Sequence, residues 1–237
     1  MTVRRIVIED LDWIVERLAQ RRAALALHAP VYWRPAANAG QAHRRHLGYA
    51  LSKGGGVGFR TGNALLIAAP GRDDRWIIDD AVVPDGEWAK TGQLLWDALC
   101  SEIAGSPVRF VCPAPEPDRA GFARTRGLHL QGSWWHDAIE QIGPPAEGHD
   151  LHVEGATARL VQAPRIYDPG GPVLFLTEIR DFARALPAAR IEAQRLGSPV
   201  VVAVQPHGDT ALAGALEDAG YRCHCGFFDG TIEAFRS

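Results

Sequence analysis

The chain has 237 residues, 46% of them hydrophobic and 22% charged, and these proportions allow an ordinary buried core in one large or two small domains. The net charge of -3 argues against nucleic acid or an anionic membrane surface as the main partner. No segment approaches the roughly 18 apolar residues of a membrane span, the N-terminus lacks a secretory leader pattern, and 4 cysteines do not make a disulfide scaffold in a chain this long. We therefore expect a cytoplasmic globular protein.

The sequence pattern of the first 140 residues predicts a mixture of strands and helices. Apolar residues at helical spacing, such as Leu95, Leu99 and Ile103, indicate helices, and short apolar runs bounded by turn residues indicate strands. Gly127 is the residue type expected just past the end of a helix. The expected elements are a strand at 3–8, a helix beginning near residue 10, a helix at 39–52, strands at 57–61, 64–69 and 75–83, a helix at 92–103, a strand at 108–112, a helix at 117–126, and one or two closing strands in 128–139.

A segment rich in Pro and Gly at 141–150 marks a domain boundary. It divides the chain into a first domain at 1–142 and a second at 151–237. The sequence of the second domain predicts strands at 157–162, 173–179, 200–204 and 221–228, with helices at 182–196 and 209–219.

The two parts of the chain share a repeated sequence. The run GSPVRFVCP from Gly105 returns as GSPVVVAVQP from Gly197, at an offset of 92 residues. The offset is then 93 for three further landmarks: Gly127-Leu128 matches Gly220-Tyr221, Trp134-Trp135 matches Phe227-Phe228, and Ile139 matches Ile232. A nearly constant offset indicates a duplicated structural unit. The second domain repeats only the back portion of the first.

One segment carries a family resemblance. In DAVVPDGEWAKTGQLLWDAL, at 80–99, a strand ending in Val-x-Pro leads through a short polar turn into a helix. This segment resembles the acyl-CoA-binding core of the GNAT superfamily of N-acyltransferases. The order of elements in 1–140 and the stretch FARTRGL are also similar to that family, and 151–237 looks like a truncated second copy. The resemblance implies an α+β fold with a mixed, mostly antiparallel sheet.

The resemblance also implies acetyl-CoA as a cosubstrate, with no metal. In the family, a turn with the pattern R/Q-x-x-G-x-G/A lies at a helix N-terminus, where unpaired amides and the helix dipole bind the coenzyme A pyrophosphate. Gly92 keeps the last glycine, whereas Glu87 replaces the Arg or Gln and Lys90 replaces the middle glycine, where it can pair with a phosphate. The implied cofactor-binding residues are Ala81, Val82 and Val83 of the strand and Trp88, Ala89, Lys90, Thr91, Gly92 and Gln93 of the turn. The second copy has no glycine at the matching turn.

The sequence offers candidates for the family's catalytic base but not for its catalytic acid. The family's base commonly comes from the strand before the turn, where this chain has Asp79 and Asp80. Neighbouring strand residues point to opposite faces, so at most one would line a cleft. Both can also be structural carboxylates, at the end of the sheet or in salt bridges. The family's acid is a tyrosine, but the matching residues are Ala123 and, in the second copy, Leu216. Catalysis would then depend on orientation, with water protonating the thiolate, or be absent.

Several other residues have a functional and a structural interpretation. Tyr32-Trp33-Arg34-Pro35 could line an acceptor site, but core packing is favoured, as it is for Trp134-Trp135 and Phe227-Phe228. Arg119, Arg124 and Arg126 could reach a coenzyme 3′-phosphate, but a solvated helix face is favoured. Cys223 and Cys225 with His207 could suggest a metal, but their spacing is shorter than zinc sites use.

The leading hypothesis is an acyl-CoA-dependent N-acetyltransferase acting on a primary amine of a small molecule or protein. The alternative is a non-catalytic acyl-CoA-binding or protein-interaction module derived from such an enzyme. Neither involves nucleic acid or a membrane, and both are compatible with a homodimer.

Overall fold

The computed structural model describes residues 2–71, 73–140 and 151–232. They form two compact units. The first unit comprises the described parts of Met1–Arg22, Gly40–Gln131 and Gly226–Ser237, and the second those of Ala23–Ala39 and Gly132–Cys225. Each unit therefore draws on both domains expected from the sequence, and the boundary segment 141–150 lies outside the described residues.

The elements follow the expected order closely. In the front part they are β1 (Arg4–Arg5), α1 (Leu11–His28), α2 (Ala39–Ser52), β2 (Val57–Thr61), β3 (Ala64–Pro70), β4 (Trp76–Ile78), β5 (Ala81–Val82), α3 (Gln93–Ile103), β6 (Pro107–Pro113), α4 (Pro117–Thr125) and β7 (His129–Ala138). They continue with β8 (Thr157–Val161), β9 (Val173–Thr177), α5 (Phe182–Arg195), β10 (Val200–Pro206), α6 (Thr210–Asp218) and β11 (Arg222–Thr231). Within the described ranges, no helix is long and apolar enough to cross a bilayer.

The sheet of the first unit runs in the order β1-β2-β3-β4-β6-β11. The pairs from β1 to β4 are antiparallel, whereas β4 and β6 are parallel. A parallel pair needs a crossover, and α3 supplies it. Its apolar face, with Leu95 and Leu99 fully buried, packs in the same core as Leu66 and Phe110.

The second unit has the same kind of sheet in the order β7-β10-β9-β8. β10 is antiparallel to β7 and parallel to β9, and α5 is the crossover between the parallel strands. Its core contains Trp135, Leu174, Val201 and Leu216.

The repeat seen in the sequence is also a repeat of elements. β6, α4 and β7 begin at residues 107, 117 and 129, and β10, α6 and β11 begin 93 residues later at 200, 210 and 222. Glycines with positive φ occupy matching turns, at Gly105 and Gly197 and again at Gly127 and Gly220. The matched aromatic residues Trp135 and Phe228 are both buried, which confirms core packing for them.

The last strand of each copy contributes to both units. In β7, residues 129–131 belong to the first unit and 132–138 to the second, while in β11 residues 222–225 belong to the second and 226–231 to the first. β7 pairs with β10, and β11 lies next to β6. The closing strand of each copy thus extends the sheet that the other copy began.

Candidate active site

A β-bulge lies within Ile78–Asp80, just before β5. β4 and β5 are the two parts of the strand expected at 75–83, and both pair with β3. Between the Ala69–Ile77 pair and the Leu66–Ala81 pair, the β4–β5 side has one more residue than β3. A bulge of this kind bends the strand and redirects side chains. Strict alternation, which predicts that at most one of the two aspartates lines a cleft, therefore does not apply here.

Next to the bulge, two parallel strands separate. β4 pairs with β6 as far as Ile78 opposite Phe110. Beyond that pair, β5 follows β3, and the ladders of the described residues do not join β5 to 111–113. The edge of Ala81–Val82 that faces away from β3 can therefore hydrogen-bond to an extended chain, as an added strand would.

Arg21 of α1 lies close to both aspartates. Its Nη1 donates to the Asp79 carbonyl oxygen at 3.2 Å. Burial would lower the pKa of its guanidinium, but the charge and hydrogen bond of Glu116, and then the charges of Asp79 and Asp80, raise it. Asp79 is exposed and Asp80 half-buried. Desolvation by the surrounding protein and the neighbouring Asp80 charge raise the pKa of Asp79, while Arg21 and Arg119 reduce the effect.

Asp80 is held by a histidine that sequence reasoning missed. The buried His43 of α2 has Nε2 at 3.1 Å from Asp80 Oδ2, and Nη1 of the buried Arg22 contacts its Nδ1. A guanidinium has only donors, so Nδ1 must accept and Nε2–H must donate to Asp80. Burial alone would raise the pKa of Asp80, but the hydrogen bond from His43 and the charge of Arg21 outweigh it, so the pKa is lowered. One signal was available: His43 lies one turn before the buried Leu47.

A second buried cation holds the backbone of the bulge. Arg119 of α4 is 0% exposed, and its Nη2 donates to the carbonyl oxygens of Ile78 at 3.3 Å and Asp79 at 2.9 Å. Its Nη1 donates to Glu116 at 3.2 Å, and Arg21 donates to the same carboxylate at 2.6 Å. Burial would raise the pKa of Glu116, but the two guanidinium groups keep it below its usual value. The expectation of a solvated Arg119 is wrong, because α4 turns this side chain inward; Arg124 is exposed.

The turn before α3 is a π-helical turn at Trp88–Gly92. The amides of Lys90, Thr91 and Gly92 all donate to the Glu87 carbonyl oxygen, at 3.1, 2.8 and 3.2 Å. The Gln93 amide donates within the helix. The amides of Trp88 and Ala89 have no acceptor among the described hydrogen bonds, as expected for a first helical turn.

The side chains of this turn divide between the core and the surface. Trp88 is buried, with ring centroids 5.8 Å from Phe110 and 5.2 Å from Phe122. A Cβ on Gly92 would lie 2.7 Å from a Trp88 ring atom, so this glycine is required by packing. Thr91 is also buried, and its hydroxyl donates to the Glu87 carboxylate at 2.6 Å. Ala89 and Lys90 are exposed, and Gln93, Val82 and Val83 are half-buried.

The remaining candidates lie elsewhere. Ala123 and Leu216, at the family's tyrosine position, are both fully buried. Tyr32 and Trp33 belong to the second unit, where Tyr32 packs 4.4 Å from the His224 ring and Trp33 is buried, which confirms core packing for Trp33. In the described part of the chain, no group of three or more His, Cys, Asp or Glu residues is placed to hold a metal. At the N-terminus of α5, the Asp181 carboxylate accepts the Arg184 amide, so a carboxylate occupies the end that would attract a phosphate.

Solved structures identify the fold. No protein-family model matches the chain, and no curated protein matches it. A GCN5-related N-acetyltransferase from Sphaerobacter thermophilus is 14% identical with a TM-score of 0.53, over 98% of this chain and 96% of that chain. A protein from Thermoplasma acidophilum, classed by inference as an acetyltransferase, is 13% identical with a TM-score of 0.56, over 98% and 100%. The chain thus has the α+β fold of the GNAT superfamily, followed by a truncated repeat, as the sequence predicted.

Proposed function

We propose that this protein is an acyl-CoA-dependent N-acetyltransferase that acts on a primary amine of a small molecule or protein. The observation that carries the proposal is the combination of separated strands with a carboxylate-bearing bulge. Asp79 and Asp80 lie where β4 leaves β6, and the chain then continues into the N-terminus of α3. An extended cosubstrate arm along β5 would bring its reactive end toward these carboxylates.

The residues fit acetyl-CoA in part. The backbone edge of Ala81–Val83 can hold the arm, and the amides of Trp88 and Ala89, together with the Lys90 ammonium, can receive phosphate oxygens. The amides of Lys90, Thr91 and Gly92 already bind the Glu87 carbonyl oxygen, so they offer less to a diphosphate than the glycine-rich turn of the family. Acetyl-CoA supplies the thioester, and Asp79 or Asp80 receives a proton from the amine. Water protonates the thiolate, because Ala123 has no acidic group.

The second candidate is a non-catalytic acyl-CoA-binding or protein-interaction module. The occupied amides at Lys90–Gly92 and the alanine at position 123 favour it. The acceptor, a homodimer and a cytoplasmic location stay predictions under either candidate, and neither includes a nucleic-acid or membrane partner.

Calorimetry with acetyl-CoA and with coenzyme A, followed by a thiol-release assay, tests the proposal. The assay uses spermidine, tyramine and a lysine peptide as amines. We expect binding of both coenzymes and thiol release with at least one amine. Binding without thiol release favours the acyl-CoA-binding module. No binding overturns both the enzyme and the acyl-CoA-binding module, and leaves only the protein-interaction module.

A matched pair of variants locates the binding site. Lys90→Glu places a carboxylate beside the phosphates and should weaken acetyl-CoA binding about tenfold, equivalent to about 1.4 kcal/mol. Lys53→Glu makes the same charge change at the end of α2 and should leave the Kd unchanged. Equal effects of the two substitutions would mean that the phosphates bind elsewhere.

A further inference from the structure

We infer that Asp79 and Asp80 have different tasks in the proposed acyl transfer: Asp80, held by His43, remains an anion, and Asp79 accepts the proton of the amine. His43 and Arg22 are then positioning residues, since they act through Asp80. This inference rests on the proposed function, but the carboxylate pair can be measured in the free protein.

The hydrogen-bond chain gives Asp80 its fixed charge. Arg22 and His43 are 4% and 2% exposed, so water competes little for their contacts. Arg22 fixes His43 as the tautomer that donates from Nε2 to Asp80 Oδ2 at 3.1 Å. A neutral imidazole donor stabilises the ionised form of a carboxylate, because the protonated form would lose that bond.

The Asp79 carboxylate has a different environment. It is exposed, and no side-chain donor reaches it within the described hydrogen bonds; Arg21 and Arg119 donate instead to its backbone carbonyl oxygen. The Asp80 anion beside it disfavours a second negative charge. Asp79 is therefore both the more accessible and the more basic of the two. The charged and titratable groups around the pair are Arg21 and Arg22 of α1, His43 and His46 of α2, Glu116, and Arg119 of α4.

The step balances. The substrate ammonium gives one proton to the Asp79 carboxylate, and the freed nitrogen attacks the thioester carbonyl carbon. The C–N bond forms and the C–S bond breaks. The thiolate takes a proton from water, which regains one from the amide nitrogen, and Asp79 returns its proton to solvent.

Carbon-13 NMR of the two aspartate carboxyl groups in the free protein tests the pair. In the wild type, Asp79 should titrate at a higher pH than Asp80. In His43→Leu the donor is lost, so Asp80 should titrate at a higher pH and Asp79 at a lower pH, each by about half a unit or more. In His43→Gln an amide can accept from Arg22 and donate to Asp80, so the wild-type order should return. Arg45→Gln, an exposed change on the same helix, is the control.

Kinetics test the role in transfer, with whichever amine of the panel releases thiol. Activity should rise with pH as Asp79 loses its proton. This rising limb of the pH–activity profile should lie at lower pH in His43→Leu and should return to its wild-type position in His43→Gln. A purely structural role would lower kcat without moving the limb. Asp79→Asn should abolish the limb.

The outcomes separate the two proposals. Absence of thiol release from the wild type overturns the proposed function, and with it the transfer role of Asp79. With thiol release present, carboxyl groups that titrate together, or that His43→Leu leaves unchanged, overturn the inference alone. If His43→Leu does not fold, Asp80→Asn replaces it: removing that charge must lower the pKa of Asp79, and an unchanged pKa contradicts the inference.

Discussion

Arg119 carries a positive charge at a position that water does not reach, and its contacts explain how a bulge can persist in a central strand. The guanidinium group binds two carbonyl oxygens near the bulge and the Glu116 carboxylate, and it lies 4.7 Å from the centre of the Phe110 ring. The bulge is therefore supported by side chains of α1 and α4 in addition to its own ladder.

Replacing Arg119 by leucine should destabilise the protein by about 3–5 kcal/mol. The substitution leaves the Ile78 and Asp79 carbonyl oxygens without this donor and removes one partner of a largely buried carboxylate. Urea unfolding followed by tryptophan fluorescence measures the change. Arg124→Leu, on the exposed side of the same helix, should cost less than about 1 kcal/mol. Equal losses would mean that the buried contacts of Arg119 contribute little.

For single residues, the sequence predicts which residues belong to the candidate site better than it predicts which side chains they contact. The place of Asp79 and Asp80 before the turn predicts a functional role for them, and the structure puts them at the bulge. The burial of Arg119 and the link from Arg22 through His43 to Asp80 were not predicted. They depend on which face of α1, α2 and α4 meets the sheet, and a polar residue on an apolar helix face does not reveal its partner.

The beginning of α3 is an element whose geometry is set by packing. The wider π-helical turn directs three amides to one carbonyl oxygen, that of Glu87, and buries the Trp88 ring against Phe110 and Phe122. Gly92 has space for no side chain because that ring lies against it.

Gly92→Ala should destabilise the protein by about 1–3 kcal/mol, since a methyl group must displace the Trp88 ring or the turn. Gly121 of α4 and its counterpart Gly214 of α6 provide matched controls, because a Cβ at either meets nothing within 4 Å. Alanine at these two helical positions should stabilise by about 0.5–1 kcal/mol. Thermal unfolding of the three variants measures these changes in stability. A Gly92→Ala variant as stable as the wild type would contradict the packing argument.

The element with a strong hydrophobic period was predicted closely. The helix expected at 92–103 is α3, which spans Gln93–Ile103. The strand expected at 75–83 is instead broken into β4 and β5, because the register against β3 gains a residue at the bulge. Local periodicity carries no information about such a change in pairing.

At the scale of the molecule, the described chain holds one copy of the fold and a truncated second copy, and their last strands are exchanged. Residues 226–232 complete the first unit, although they come from the end of the chain, and 23–39 and 132–140 belong to the second unit, although they precede the Pro- and Gly-rich segment. The repeat in the sequence revealed the duplication, but it could not reveal the exchange, because matched residues mark equivalent strands without showing which sheet each strand joins.

Fragments 1–140 and 151–237, produced separately, should not unfold cooperatively. The first lacks the strand that lies next to β6, and the second lacks the strand that pairs with β10, so each leaves a long unpaired edge. Mixing the fragments should restore a cooperative urea transition and a dispersed NMR spectrum. A cooperative transition for the first fragment alone would show that residues 226–232 are dispensable.

The exchange also has a consequence for biosynthesis. On the ribosome, the front segment emerges more than a hundred residues ahead of the strand that completes its sheet. The nascent chain must therefore keep a partly open β edge until residues 226–231 have been synthesised. Molecular chaperones that shield such edges would matter most during this interval, and a stop codon shortly before residue 226 would be expected to disable the front of the protein as well as its end.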